Sequence, residues 1–190
     1  MTATALDPKT ALIVIDLQKG TAALPTVHPV GDIARQAGRL AAAFRARELS
    51  VILVNVTGRS PGRTEQSFRS GALPPDWTEL LPELGRAPDD LVISKQTWGA
   101  FTDTDLTLCL RATGITQVVL AGIATSIGVE STARQAHELG FNVTLAVDAM
   151  TDLNAAAHAN SVTTIFPRLG ETASTQEIIG LLAASHAGRR

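Results

Sequence analysis

An aspartate, Asp16, directly follows the apolar run Ala11-Leu12-Ile13-Val14-Ile15, and a lysine, Lys95, directly follows Leu91-Val92-Ile93-Ser94. A carboxyl group at the end of a buried strand is partly withdrawn from water, which raises its pKa and suits it to proton transfer. The lysine repeats the same placement at a second strand end. The third feature is the segment Gly122-Ile123-Ala124-Thr125-Ser126-Ile127-Gly128, which joins an apolar run to a helical pattern. Such a turn places backbone N–H groups near a helix N-terminus, where they stabilise an anion or a developing oxyanion. Each feature alone has a plain structural alternative: a turn aspartate, a surface lysine, a helix capped by Thr125 or Ser126. Three of them after three different strands carry more weight together and define one candidate site.

The elements that must position these residues are short apolar runs alternating with helical patterns, the pattern of parallel strands covered on both faces. Strands are expected at Ala11 to Ile15, Val51 to Val56, Gln117 to Ala121 and Asn142 to Val147, with a shorter fifth at Leu91 to Ile93 and a sixth near Gly170 to Ala173. Ile33, Ala37, Leu40, Ala41 and Phe44 recur at helical spacing and predict a crossover helix between the first two strands. Val129, Ala133 and Ala136 predict a second helix that stops near Gly140, and Ile178 to Leu182 a closing one. The expected fold is thus α/β, with a mainly parallel sheet of five to six strands and helices on both faces. Ligands of such sheets bind beyond the carboxyl ends of the strands, where Asp16, Lys95 and Gly128 all fall. The stretch from Thr57 to Asp90 is rich in proline and glycine with little periodicity, and a loop of that length is either a lid or an irregular surface excursion.

With 190 residues, 45% hydrophobic and 18% charged, and a net charge of −2, the chain is expected to form one domain over residues 1–190. Its basic residues are scattered, which argues against nucleic acid as a partner. No apolar run reaches the ~20 residues of a membrane span, and no signal peptide is expected at the N-terminus. The single cysteine, Cys109, leaves no internal disulfide and fits a reducing compartment, so a cytoplasmic location is expected. Cys109 shares a helical face with Leu106 and Leu110 and reads as a buried small hydrophobe.

The segment Gly122-Ile123-Ala124-Thr125-Ser126-Ile127-Gly128-Val129 resembles the nucleophile turn of the isochorismatase-like (cysteine hydrolase) family, with Gly128 in place of the usual Cys. Leu12-Ile13-Val14-Ile15-Asp16-Leu17-Gln18 resembles the family's Asp motif, departing from it at Lys19-Gly20. Ser94-Lys95-Gln96-Thr97-Trp98-Gly99-Ala100-Phe101 resembles its Lys motif, and Val147-Asp148-Ala149 with His158 extends the likeness. The resemblance implies a three-layer Rossmann-like fold, a catalytic set of Asp16, Lys95 and Gly128, and a cis peptide at Ile123-Ala124. It also implies a homo-oligomer, dimer or higher.

Some family amidases hold a metal after the second strand. Here Val54-Asn55-Val56-Thr57-Gly58-Arg59 offers no Asp or His, so neither metal nor other cofactor is expected. Isochorismatases of the family resemble this chain in carrying Gly at the Cys position, and they hydrolyse a vinyl ether with the aspartic acid as proton donor. A hydrolase acting on a small anionic substrate without a thiol is therefore the leading expectation. The alternative is an inactive member that binds a metabolite or protein. Substrate-binding candidates are Gln18, Arg63, Gln66, Arg69, Trp98 and Phe101, with Ile123, Ala124 and Thr125 of the turn.

Overall fold

The computed structural model describes residues 3–65 and 73–187, with no side chain described beyond residue 184. Six parallel strands, β1 (Thr10–Ile15), β2 (Val51–Val56), β3 (Leu91–Lys95), β4 (Gln117–Ile123), β5 (Asn142–Thr151) and β6 (Glu171–Ala173), form one sheet in the order β3-β2-β1-β4-β5-β6. The helices are α1 (Lys19–Ala22), α2 (Val30–Arg45), α3 (Leu106–Ala112), α4 (Glu130–Glu138), α5 (Ala155–Asn160), α6 (Phe166–Leu169) and α7 (Thr175–Ala187). Every residue of β1 and β4 is buried, which is why both read as continuous apolar runs rather than as alternation.

Successive side chains of the central strands feed two different cores. Leu12, Val14, Leu53, Val119 and Ala121 pack with Ile33, Ala37, Leu40 and Phe44 of α2 and Ile178 of α7. Ile13, Ile15, Ile52, Val54, Val118 and Leu120 pack with Leu106 and Leu110 of α3 and Val129, Ala133 and Ala136 near α4. The period of two along each strand thus separates the layers.

From β1 the chain adds β2 and then β3 on one side, then returns to place β4 on the other side of β1. The connections leave β1 and β4 in opposite directions and open a crevice at their carboxyl ends. Gly122 shapes that crevice. Its φ is +128°, and a Cβ there would lie 2.0 Å from Ile15 O, so only glycine lets β4 pass this close to β1.

The long connection between β2 and β3 behaves in two ways. Its second half is clamped: Leu84 is buried, Glu83 O fits where a Cβ on Gly38 would sit, and the turn Pro82–Leu84 rests on α2. Arg59, Ser60, Pro61, Gly62 and Thr64 instead line an open cavity.

Candidate active site

Asp16 is the residue after β1 and has a φ of 53°, in the left-handed region that aspartate tolerates better than most side chains. Its N–H donates to Val54 O and its carbonyl accepts from Gln18 N and from the Thr21 hydroxyl, so the turn is held on three sides. The carboxyl group is buried. Lys95 Nζ, at the end of β3, reaches past β2 and donates to Asp16 Oδ2 at 2.7 Å and to Thr97 O at 3.0 Å. Asp16 Oδ1 is buried with no partner among the described residues. Withdrawal from water raises the Asp16 pKa to about 6, against the opposing pull of the Lys95 charge and hydrogen bond.

Gly128 lies over this pair. A Cβ built on it would sit 3.0 Å from Ile15 Cγ2, 3.3 Å from Asp16 Oδ2 and 3.3 Å from Ile123 O. A side chain at position 128 therefore starts against the carboxyl group. The backbone of Gly128 is not in the left-handed region, so space rather than conformation distinguishes glycine here.

The turn that carries Gly128 is π-helical over Thr125–Val129 and follows a cis peptide at Ile123-Ala124. Much of its hydrogen bonding is internal. Ile127 N and Val129 N donate to Ala124 O, and Ser126 N donates to Asp152 Oδ2 at 2.6 Å. Asp152, fully buried after β5, also accepts from Leu153 N and Asn154 N through Oδ1. The Thr125 hydroxyl donates to Thr151 O at 3.0 Å and lies 2.9 Å from His158 Nδ1. A hydroxyl has one proton, and the carbonyl takes it, which assigns the Nδ1–H tautomer to His158. Desolvation, reinforced by the edge-on His28 ring at 5.0 Å, lowers the His158 pKa, although Asp152 pulls the other way. Asp152 and the Thr125–His158 contact escape a reading of the sequence because their partners lie on other elements. The only local sign of Asp152 is its place just ahead of the α5 cap, Asn154.

Asp16, Lys95 and Gly128 thus converge, with Ile123, Ala124 and Thr125 forming the turn beside them. Gln18 is fully buried, and its amide bridges β2 to the following connection, donating to Val56 O and Trp77 O and accepting from Val56 N. Phe101 points into the core, where its ring stacks on Phe141 at 6.1 Å. Arg63 is exposed, and Gln66 and Arg69 lie outside the described residues. Trp98 is 60% exposed and lines a cavity of about 820 Å3 together with Arg59, Thr97, Thr102 and Ser131. That cavity adjoins the convergent residues rather than containing them. Thr97 links the two, since its carbonyl accepts from Lys95. Among the described residues no three His, Cys, Asp or Glu side chains cluster as metal ligands would, and no helix is long and apolar enough to cross a membrane.

The sequence matches the model of the Isochorismatase domain over residues 10–177. It is 44% identical over 183 residues to the uncharacterized isochorismatase family protein YecD of Escherichia coli O157:H7, covering 91% of this chain and 96% of that protein. It is 33% identical over 178 residues to the ureidoacrylate amidohydrolase RutB of Variovorax paradoxus (strain S110), covering 77% and 70% of the two chains. Among solved structures, an isochorismatase family protein from Burkholderia thailandensis superposes with a TM-score of 0.90 at 42% identity, covering 94% of this chain and 98% of that one. The chain belongs to the isochorismatase family of hydrolases.

Proposed function

We propose that this protein hydrolyses the vinyl ether of a small anionic substrate by acid catalysis, with Asp16 as the proton donor and no covalent intermediate. The observation that carries this reading is the state of Asp16. It is buried, its pKa is raised to about 6, one oxygen is held by Lys95, and Oδ1 has no partner among the described residues. Because Lys95 donates to Oδ2, the carboxyl proton belongs on Oδ1.

In the proposed step, that proton passes to the terminal carbon of an enolpyruvyl ether, leaving an alkoxy-stabilised cation. Water adds to the cation and returns a proton to Asp16, and the hemiketal collapses to pyruvate and an alcohol. Water is the only co-reactant. Lys95 holds the substrate carboxylate or its developing charge, and Gly128 leaves the space in which the ether lies. An amide-hydrolysing activity such as the one named for the Variovorax relative would, through the family's thiol chemistry, need a nucleophile that Gly128 does not supply. An inactive role is the weaker reading, because neither Trp98 nor Phe101 is among the nearest atoms to a side chain at position 128.

The test is pyruvate release from isochorismate by the purified protein, followed through lactate dehydrogenase. Release that disappears in Asp16→Asn is expected. Release that persists unchanged in that variant removes Asp16 as the donor, and no release at high enzyme concentration removes isochorismate as the substrate.

A further inference from the structure

The turn that carries Gly128 hangs from the end of β5. Ladder bonding holds Ile123 opposite Thr151, the last residue of that strand, and Thr151 and Asp152 each take hold of the turn. Thr151 O accepts the Thr125 hydroxyl at 3.0 Å, and Asp152 Oδ2 accepts Ser126 N at 2.6 Å. Asp152 is 1% exposed, and its other oxygen accepts Leu153 N at 2.7 Å and Asn154 N at 3.1 Å. Its carbonyl accepts Val27 N, which pins the same segment to the α1–α2 connection. A buried carboxylate with backbone donors on both oxygens is fixed in direction.

The bonds of Ile127 N, Val129 N and Gly128 O stay within the turn and α4. They fix the shape of the turn, whereas Thr151 and Asp152 fix its height above Asp16. That height matters, because a Cβ at position 128 would lie 3.3 Å from Asp16 Oδ2, so the turn covers that side of the carboxyl group.

We propose that Asp152 is a positioning residue for the reaction: by holding Ser126 N it keeps the turn closed over Asp16 and water away from the proton donor. This role rests on the vinyl ether reading where rates are concerned, and on geometry alone where the state of Asp16 is. Lys95 of β3 is the charged group that meets Asp16. His158 faces Thr125, Asp152 faces Ser126 N, and the turn itself carries no side chain that titrates in the acid range.

Asp152→Asn tests the hold without changing volume. Its carbonyl oxygen can go on accepting Leu153 N and Asn154 N, but its NH2 then meets Ser126 N donor against donor. Asp152→Ser, whose hydroxyl can accept Asn154 N but is too short for Ser126 N, takes its place if that variant does not fold. Thr125→Val releases the adjacent residue and alters no charge, so an effect shared with the Asp152 variant is loss of cover rather than loss of an anion. Asn154→Ala, the control, removes the side-chain cap on Ala157 N in the same loop and leaves the turn untouched.

Each variant, shown folded by circular dichroism, is read in two ways. One is the midpoint against pH of the Asp16 carboxyl carbon resonance, assigned by its absence in Asp16→Asn. The other is kcat/KM for pyruvate release from isochorismate. In the Asp152 variant and Thr125→Val the midpoint is expected to fall by about one pH unit as water reaches the carboxyl group. The rate is expected to drop about tenfold at about pH 7.5 and to recover to within about twofold at about pH 4.5, which a general loss of structure would not do. Asn154→Ala is expected to match the unaltered protein within about twofold. An unchanged midpoint, a rate loss equal at both pH values, or a shift confined to the Asp152 variant overturns the role. A midpoint that falls in both variants of a protein releasing no pyruvate leaves Asp152 in its role and removes the vinyl ether. Asp16-dependent release indifferent to both variants does the reverse.

Discussion

Among the described residues, Asp90 and Asp16 are carboxyl groups buried against cations, and the two are built differently. Asp90 receives Arg45 through two bonds, Nε at 2.9 Å and Nη2 at 2.6 Å, and Ala87 N through a third, so both of its oxygens are engaged. Asp16 receives a single bond from Lys95 and keeps one buried oxygen without a partner among the described residues. The paired fork of an arginine satisfies a carboxylate in geometry as well as charge, whereas an ammonium acts as a point charge on one oxygen. Asp90 thereby fastens the end of the β2–β3 connection to α2. Asp16 pays a desolvation cost that one lysine does not cancel, and its proton is held to a pH near 6. Of the two carboxyl groups, only that of Asp16 is left with an unengaged oxygen.

The comparison breaks most visibly if the two aspartates are exchanged for asparagine. Asp16→Asn is expected to lower kcat/KM for pyruvate release by about 10²- to 10⁴-fold, the range for loss of a positioned acid. Asp90→Asn is expected to leave that rate within about twofold, since it lies outside the site, and to cost about 3 kcal/mol in urea unfolding by stranding Arg45. A large activity loss in Asp90→Asn at temperatures where it remains folded would erase the distinction.

A smaller effect is expected at Gly128. Gly128→Ala puts a methyl group 3.3 Å from Asp16 Oδ2, so we expect roughly a tenfold fall in kcat/KM with a stability change of about 1 kcal/mol or less, read from steady-state kinetics and chemical denaturation. Unaltered kinetics would mean that the ether does not lie over this glycine.

The pH dependence of stability sharpens the contrast further. The Asp16 pKa is raised from 3.8 in the unfolded chain to about 6 in the fold. Its contribution is fully present below the unfolded value and is lost as pH rises through about 6. Asp16→Asn should flatten that part of the stability profile, measured by denaturation across the acid range. His158 has the opposite sign. Its lowered pKa means that its contribution is present above the unfolded value and lost as pH falls through the folded one, and His158→Gln should weaken that acid-side loss.

Much of the fold was legible because buried parallel strands announce themselves as unbroken Val, Ile and Leu runs. Val51–Val56 appears with the bounds the sequence suggests. Others run further: β4 continues through Gly122 to Ile123, and β5 continues from Val147 to Thr151 through Asp148, where apolar character lapses but ladder bonding with β4 resumes. Lys95, expected just after its strand, is the last residue of β3.

The convergence of Asp16 and Lys95 was legible because both stand at strand ends. A role was not legible where it depends on a distant partner. Gln18 resembles a polar pocket residue in sequence, yet its amide is consumed by β2 and the Trp77 carbonyl. Phe101 resembles a pocket wall, yet it stacks on Phe141, forty residues away. No local pattern carries either fact.

Acid catalysis requires a protonated Asp16 acting on the free substrate, which kcat/KM against pH reports directly. With isochorismate followed from about pH 4.5 to about pH 9, a plateau is expected at the acid end and a fall approaching tenfold per pH unit above about 6. A rate that instead rises through pH 6 would mean that the ionised carboxylate is the working form, and acid catalysis by Asp16 would be contradicted.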